Sequence, residues 1–372
     1  MAKKYSIIFA GGGTAGHVNP LLATAHEFQK RNPDAELTVI GTSYGLETDL
    51  VPAAGFPLRL IPRVPFPRRP NLQALLFLPN FVKAVKSCKA ILSETSADAV
   101  VGFGGYVSTP MYLAAKQMKL PLIVHEGNAR PGLANKLGAR WAKYLGLTFP
   151  STKLAARNGR TEVIGMPLRS QITAQAASIK DVQVRNAAIQ KFGLNPERLT
   201  ILVTGGSSGA VHLNREVAKA AKSLISAGAQ VIHLTGKGKS AEVQELLGDA
   251  DIPEYRVLEY LAGMQDAYAA ADLVIARSGA GMVAEIGVLG LPAIFVPLPI
   301  GNGEQALNAA DVVASGGAKL INDADFSAEW ICRELIQILD RNKLHEMGEL
   351  ARGLMPADAA TRLAQVIEEV IG

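Results

Sequence analysis

The sequence predicts an α/β protein made of two Rossmann-like domains in tandem. Three observations carry this. Apolar runs alternate with helix-like segments from end to end. Two of those runs lead into a glycine cluster and then a helix start, "FAGGGTAGHVNP" from Phe9 and "VTGGSSGAVHLN" from Val203. At 372 residues, the chain is long for one hydrophobic core.

In chain order, the strand candidates are YSIIFA (5–10), LTVIG (37–41), AVVGFG (99–104), LIVHE (122–126), TILVTGG (200–206), QVIHLTG (230–236), LVIAR (273–277) and AIFVP (293–297). Most lack polar alternation, as strands buried on both faces of a parallel sheet do. Helices between them give βαβ units. The turn-rich stretch 148–166 closes the first domain, and the polar stretch after Pro167 reads as a linker into the second. The expected domains are 1–166 and 167–352, with 353–372 as a terminal helix.

The net charge of +5 conceals a split. Residues 1–162 hold 20 Lys/Arg and 9 Asp/Glu, a net of +11, and residues 163–372 hold 18 and 24, a net of −6. Residues 50–93 carry seven basic residues and no acidic one, and 127–161 repeat that count. Such a field attracts polyanions or an anionic membrane face. No basic–aromatic platform of the RNA-reading kind accompanies it, so nucleic acid is not an expected partner. Cys88 and Cys332 lie far apart and give neither a disulfide framework nor zinc-ligand spacing. The six-residue apolar run at the start is too short for a signal peptide, and no apolar stretch approaches the roughly 20 residues of a bilayer span. A soluble or surface-bound protein is expected.

Gly11, Gly13 and Gly16 satisfy G-x-G-x-x-G. A glycine-rich strand-to-helix turn presents backbone N–H groups and the positive helix end to an anion. A dinucleotide site also needs an Asp or Glu at the end of the second strand, for the ribose diol. That place reads LTVIGTSYG, with no carboxylate, so a nicotinamide cofactor is not expected.

Seven segments in order resemble the MurG family, the UDP-N-acetylglucosamine transferases that convert lipid I to lipid II in peptidoglycan synthesis. They are GGGTAGH (11–17), VGFGGYVSTP (101–110), HEGNARPGLANK (125–136), GMPLR (165–169), VTGGSSGAVHLN (203–214), RSGAGMVAE (277–285) and GNGEQALNA (301–309). The resemblance covers nearly the whole chain. It implies the GT-B fold, with the active site in a cleft between two Rossmann-like domains and the last helix returning to the first. It also implies inverting transfer to the C4 hydroxyl of the N-acetylmuramoyl unit, with UDP leaving. The resemblance further implies cell-wall synthesis or division proteins as partners, and the cytoplasmic face of the cell membrane as the location. No cofactor or obligatory metal is implied. Another GT-B UDP-sugar transferase, a UDP-sugar epimerase and a non-catalytic nucleotide-sugar binder are the alternatives.

The resemblance also assigns residues. Glu285 would hold the ribose hydroxyls, within the stretch Ala280, Gly281, Met282, Val283 and Ala284 that opens its helix. Ser207 and Arg169 would meet the pyrophosphate. The backbone of Leu261 would read the uracil edge, and Gln305 and Asn308 the sugar hydroxyls. Asn128, with Thr14, Ala15 and Gly16, would approach the donor from the first domain. Glu304 and Gly127 depart from the family pattern, as does Ala15, a change that matters only if that residue needs φ > 0. Gly13, Thr14 and His17, with Gly104, Gly105 and Tyr106, would form a pocket for the acceptor diphosphate. His17 and Glu126 are the two candidate general bases: histidine for its pKa near ~6.5, glutamate for its place at a strand end. Membrane contact is expected from Leu75, Leu76, Phe77, Phe81 and Val82, rimmed by Arg68, Arg69, Lys83 and Lys86, since apolar residues among cations suit anionic lipid. Two Asp-Ala-Asp strings, 249–251 and 323–325, mimic a metal motif but read as solvated loop carboxylates.

Overall fold

The computed structural model of the chain describes residues 4–64, 72–206, 209–248, 252–300 and 302–372, the side chains of 72–75 excepted. It divides into two units. The first comprises 1–169 and 356–372, and the second 170–355.

In the first unit seven strands form one parallel sheet: β1 (Ser6–Gly11), β2 (Glu36–Gly41), β3 (Leu58–Leu60), β4 (Ala99–Gly104), β5 (Leu122–Glu126), β6 (Tyr144–Leu147) and β7 (Arg160–Val163). Their order is β3-β2-β1-β4-β5-β6-β7. β1, β4 and β5 are buried along their whole length, as the unbroken apolar runs require. One face packs Val18, Leu21 and Phe28 of the helix Ala15–Arg31 against the sheet. The helix Ala359–Ile371 joins that same core through Leu363, Ile367 and Ile371, four residues apart on one stripe. Burying each such side chain stabilises by about 1.5–3 kcal/mol. Glu368 accepts hydrogen bonds from Arg31 and Asn32. The other face is covered by the helices Leu72–Glu94, Ser108–Gln117 and Leu133–Gly138.

In the second unit six strands repeat the plan: β8 (Leu199–Thr204), β9 (Ala229–Leu234), β10 (Tyr255–Leu258), β11 (Leu273–Ala276), β12 (Ala293–Phe295) and β13 (Ala318–Leu320). Their order is β10-β9-β8-β11-β12-β13, all parallel. Both sheets place the first strand of their unit at a central position, with the chain then winding to both sides, so each glycine turn lies at a switch point where α/β sheets carry ligands. The stretch after Pro167 is helical rather than a plain linker: Ser170–Ser178 and Val182–Lys191, the latter capped by the Asp181 carboxylate. Arg185 of that helix forms a two-pronged ion pair with Asp272, which gives an otherwise polar segment its anchor.

Candidate functional site

In the first unit, β1 ends in the turn Gly12–Thr14 and the helix Ala15–Arg31 follows. Gly13 has φ +88°, a conformation that glycine adopts at little cost. Ala15 is not among the residues with positive φ, so its methyl group is accommodated in the first helical position. The second glycine turn, after β4, presses against the first. A Cβ on Gly105 would stand 2.6 Å from the Gly12 carbonyl oxygen, and both Gly104 and Gly105 have positive φ.

His17 Nδ1 lies 3.1 Å from the Gly12 carbonyl oxygen. A carbonyl only accepts, so Nδ1 carries the proton and Nε2 keeps its lone pair. Nε2 faces the second turn: a Cβ on Gly104 would be 3.2 Å from it. Burial holds the imidazole below the ordinary histidine range, which keeps it neutral at pH 7.

Glu126 is differently placed. It is 2% exposed, and its carboxylate accepts N–H groups from Asn128 (2.9 Å) and Gly132 (3.0 Å) and the amide of Asn135 (3.0 Å). Tyr112 in turn donates to Asn135. Burial raises the Glu126 pKa despite these donors. The arrangement fastens the loop after β5.

Glu47 was not legible as a site residue. It is fully buried, and one oxygen accepts the Gly13 N–H at 2.7 Å while the other accepts the Thr42 N–H and hydroxyl, both at 3.1 Å. This corrects the expectation that Gly13 offers its amide to the acceptor diphosphate, since the donor is already committed to a carboxylate beneath the loop. Above the loop is a cavity of about 320 Å³ lined by Gly12, Thr14, Tyr44, Arg63 and Tyr106, among others.

In the second unit, the helix Ala280–Leu289 follows β11. Cβ atoms on Gly279 and Gly281 would meet nothing within 4 Å, so the helix start is open to approach. Val283 and Ala284 are wholly buried, backbone included, so neither presents a surface at the helix start. Glu285 is the sixth residue of the helix, not its first turn, and the macrodipole has largely faded there. The fully buried Tyr268 donates its hydroxyl to Glu285 Oε2 and fixes the carboxylate's direction. Gln305 accepts the Leu298 N–H through its amide oxygen. Asn308 is wholly buried and donates to the Ser278 carbonyl. Leu261 is half-buried in the loop after β10, and Arg169 is the half-buried last residue before the second unit. Ser207 lies outside the described residues.

Similarity to known proteins follows the whole chain. Residues 7–146 match the glycosyltransferase family 28 N-terminal domain, and 200–363 match its C-terminal domain. A transferase from Paenarthrobacter aurescens is 45% identical, covering 100% of this chain and 97% of its own, and one from Bifidobacterium adolescentis is 46% identical, covering 100% and 99%. Both are named UDP-N-acetylglucosamine--N-acetylmuramyl-(pentapeptide) pyrophosphoryl-undecaprenol N-acetylglucosamine transferase. The chain belongs to the MurG family of glycosyltransferases. The crystal structure of MurG from Acinetobacter baumannii is 29% identical, with a TM-score of 0.78 over 99% of this chain and all of that one. UDP-N-acetylglucosamine 2-epimerase from Neisseria meningitidis, 14% identical with a TM-score of 0.69, shares the fold. The two sheets are those of the GT-B fold.

Among the MurG-family signatures, the segment HEGNARPGLANK reaches GGYVS through Asn135, whose Nδ2 would lie 3.4 Å from a Cβ on Gly104. RSGAG carries a residue with a second job. Arg277, 9% exposed, donates to the carbonyls of Val296 and Pro297 and pairs with Asp323. Asp323 also lies 3.3 Å from His212 Nδ1. This corrects the reading of 323–325 as solvated carboxylates: Asp323 is an inward-facing counter-ion, and only Asp325 is exposed. Asp249 and Asp251 lie outside the described residues.

The helix Leu72–Glu94 has two characters. Its C-terminal half buries Val85, Cys88, Ile91 and Leu92 against the sheet. Its N-terminal half exposes Leu76 (59%), Leu78 (66%) and Val82 (45%). Phe77 and Phe81 are half-buried and stacked at 5.6 Å, while Lys83 and Lys86 are exposed. Arg68, Arg69 and the side chain of Leu75 lie outside the described residues. No helix among the described residues is long and apolar enough to cross a membrane.

Proposed function

We propose that the chain transfers N-acetylglucosamine from its UDP donor to the C4 hydroxyl of the N-acetylmuramoyl unit of lipid I, with inversion at the anomeric carbon, giving lipid II. The observation that carries this is full-length identity of about 45% to relatives named for that transfer. His17 is the base in this reading. Nε2 holds an available lone pair, whereas the Glu126 oxygens are committed to three N–H donors. The second unit supplies the donor-facing groups: Glu285 for the ribose, and the open start of the helix Ala280–Leu289 for the departing diphosphate, where helix N–H groups favour negative charge. Arg169 adds a permanent positive charge to the diphosphate's surroundings. No resident metal or organic cofactor is needed. Incubation with labelled UDP-N-acetylglucosamine and a lipid I analogue should give a β-1,4-linked disaccharide product. Release of free sugar or of an epimer without transfer would sink the reading.

The same reading places the chain peripherally on the cytoplasmic side of the cell membrane. Leu76, Leu78 and Val82 insert their side chains at an anionic lipid surface while Lys83 and Lys86 meet the headgroups. Replacing Leu76 and Val82 by serine should weaken binding to phosphatidylglycerol vesicles roughly tenfold without lowering the melting temperature. Undiminished sedimentation with vesicles would remove this surface from the account.

A further inference from the structure

The glycine turn of the first unit is poorly equipped to hold an anion unaided. Its Gly13 amide donates to Glu47, and the Glu47 carboxylate lies buried directly below. A diphosphate above the loop would therefore meet a like charge from beneath and one donor fewer than the sequence motif promises. Positive charge must come from elsewhere on the cavity wall.

Arg63 is placed to supply it. Its guanidinium sits 5.8 Å from the ring centre of Tyr44 and 5.5 Å from that of Tyr106, and all three residues line the cavity over the loop. Among the described residues Arg63 has no carboxylate partner, whereas Arg31, Arg59, Arg185 and Arg277 each pair with one. Both rings stand within cation–π reach of the guanidinium. No hydrogen bond or ion pair among the described residues engages its N–H fork, the part that matches phosphate oxygens two at a time. Tyr44 and Tyr106 are 66% and 44% exposed, so both rings are reachable by a ligand in the cavity. The cavity's volume of about 320 Å³ is at the small end of ligand pockets, enough for a diphosphate and part of an adjoining sugar.

We infer that Arg63, clamped by Tyr44 and Tyr106, is the cation that binds the diphosphate of the prenylated acceptor over the first glycine turn, offsetting the carboxylate of Glu47. The inference deepens the acceptor reading above and rests on it. It makes Arg63 a determinant of acceptor affinity with no part in holding the UDP donor. Because the ligand chemistry is an organic diphosphate, the donor and anionic lipid headgroups are the competing sources.

Farnesyl diphosphate serves as a short acceptor mimic, titrated calorimetrically into the full chain and into R63Q, R63K and Y44F. R63Q should weaken farnesyl diphosphate at least about tenfold. R63K should recover only part of that loss, because lysine keeps the charge but not the fork. Y44F, which keeps the ring, should bind like the parent. UDP affinity and phosphatidylglycerol vesicle binding should be unchanged in all three, and in turnover the lipid I KM should rise with that of UDP-N-acetylglucosamine constant. Equal farnesyl diphosphate affinity in R63Q and the parent would overturn the inference. So would loss of UDP or vesicle binding in step with the farnesyl diphosphate loss. If the parent binds farnesyl diphosphate through Arg63 but forms no disaccharide, the transfer reading fails while the diphosphate site stands.

Discussion

Alanine in place of His17 should lower kcat by on the order of 10²–10⁴-fold, the usual worth of a positioned general base, and leave UDP affinity nearly intact. The reason is the hydrogen bond from Nδ1 to the Gly12 carbonyl, which forces the lone pair onto Nε2. A near-parental rate in the variant would take His17 out of the chemistry. The pH profile provides an independent check. The base works only when unprotonated, and burial lowers the His17 pKa from its ordinary value of 6.5. As pH falls through the lowered value the ring gains a proton and the rate drops. The acid limb of kcat/KM should therefore lie below pH 6.5 and vanish in His17→Ala. A limb above 6.5 would point to another group. Glu126→Gln should chiefly lower the melting temperature, because an amide oxygen replaces only one of two accepting atoms in a buried site receiving three donors.

Alanine in place of Glu285 should raise the KM for UDP-N-acetylglucosamine by about 10–100-fold, since hydrogen bonds to a charged group contribute roughly 1.5–3 kcal/mol. Tyr268→Phe should have the same direction and a smaller size. It leaves the carboxylate but removes the hydroxyl that aims it. A donor lacking the ribose 2′-hydroxyl gives the decisive comparison. With the parent it should bind more weakly, and with Glu285→Ala the loss of that hydroxyl should cost little more. If the two losses simply add, Glu285 does not read the ribose.

The strands visible in the sequence are the ones buried over all or most of their length. β1, β2, β4 and β5 form the middle of the first sheet, and β8, β9, β11 and β12 the middle of the second, and each was legible as an apolar run. The strands that sequence reading missed lie mostly at the edges. β3, β7, β10 and β13 are partly exposed, so they need not be apolar throughout and their runs are only three or four residues long. β6 is buried but only four residues long, with Gly146 within it. The site divides in the same way. Glycine turns and the histidine after them announce themselves by local spacing. Glu47 does not, since its partners Gly13 and Thr42 come to it only when β1 and β2 pair. Asp323 misled for the converse reason: its string resembles an exposed motif, and Arg277, 46 residues earlier, turns it inward.

The helix Ala359–Ile371 completes the core of the first unit. During synthesis those residues leave the ribosome after all of 170–355, so the second unit has its full sequence available while the first still lacks a wall. Val18, Leu21 and Phe28 must wait with one side uncovered until residues 356–372 have emerged. A nascent chain stalled before residue 356 should therefore offer chaperones a greasy groove on its N-terminal part alone, and residues 356–372 act as the closure that ends that exposure.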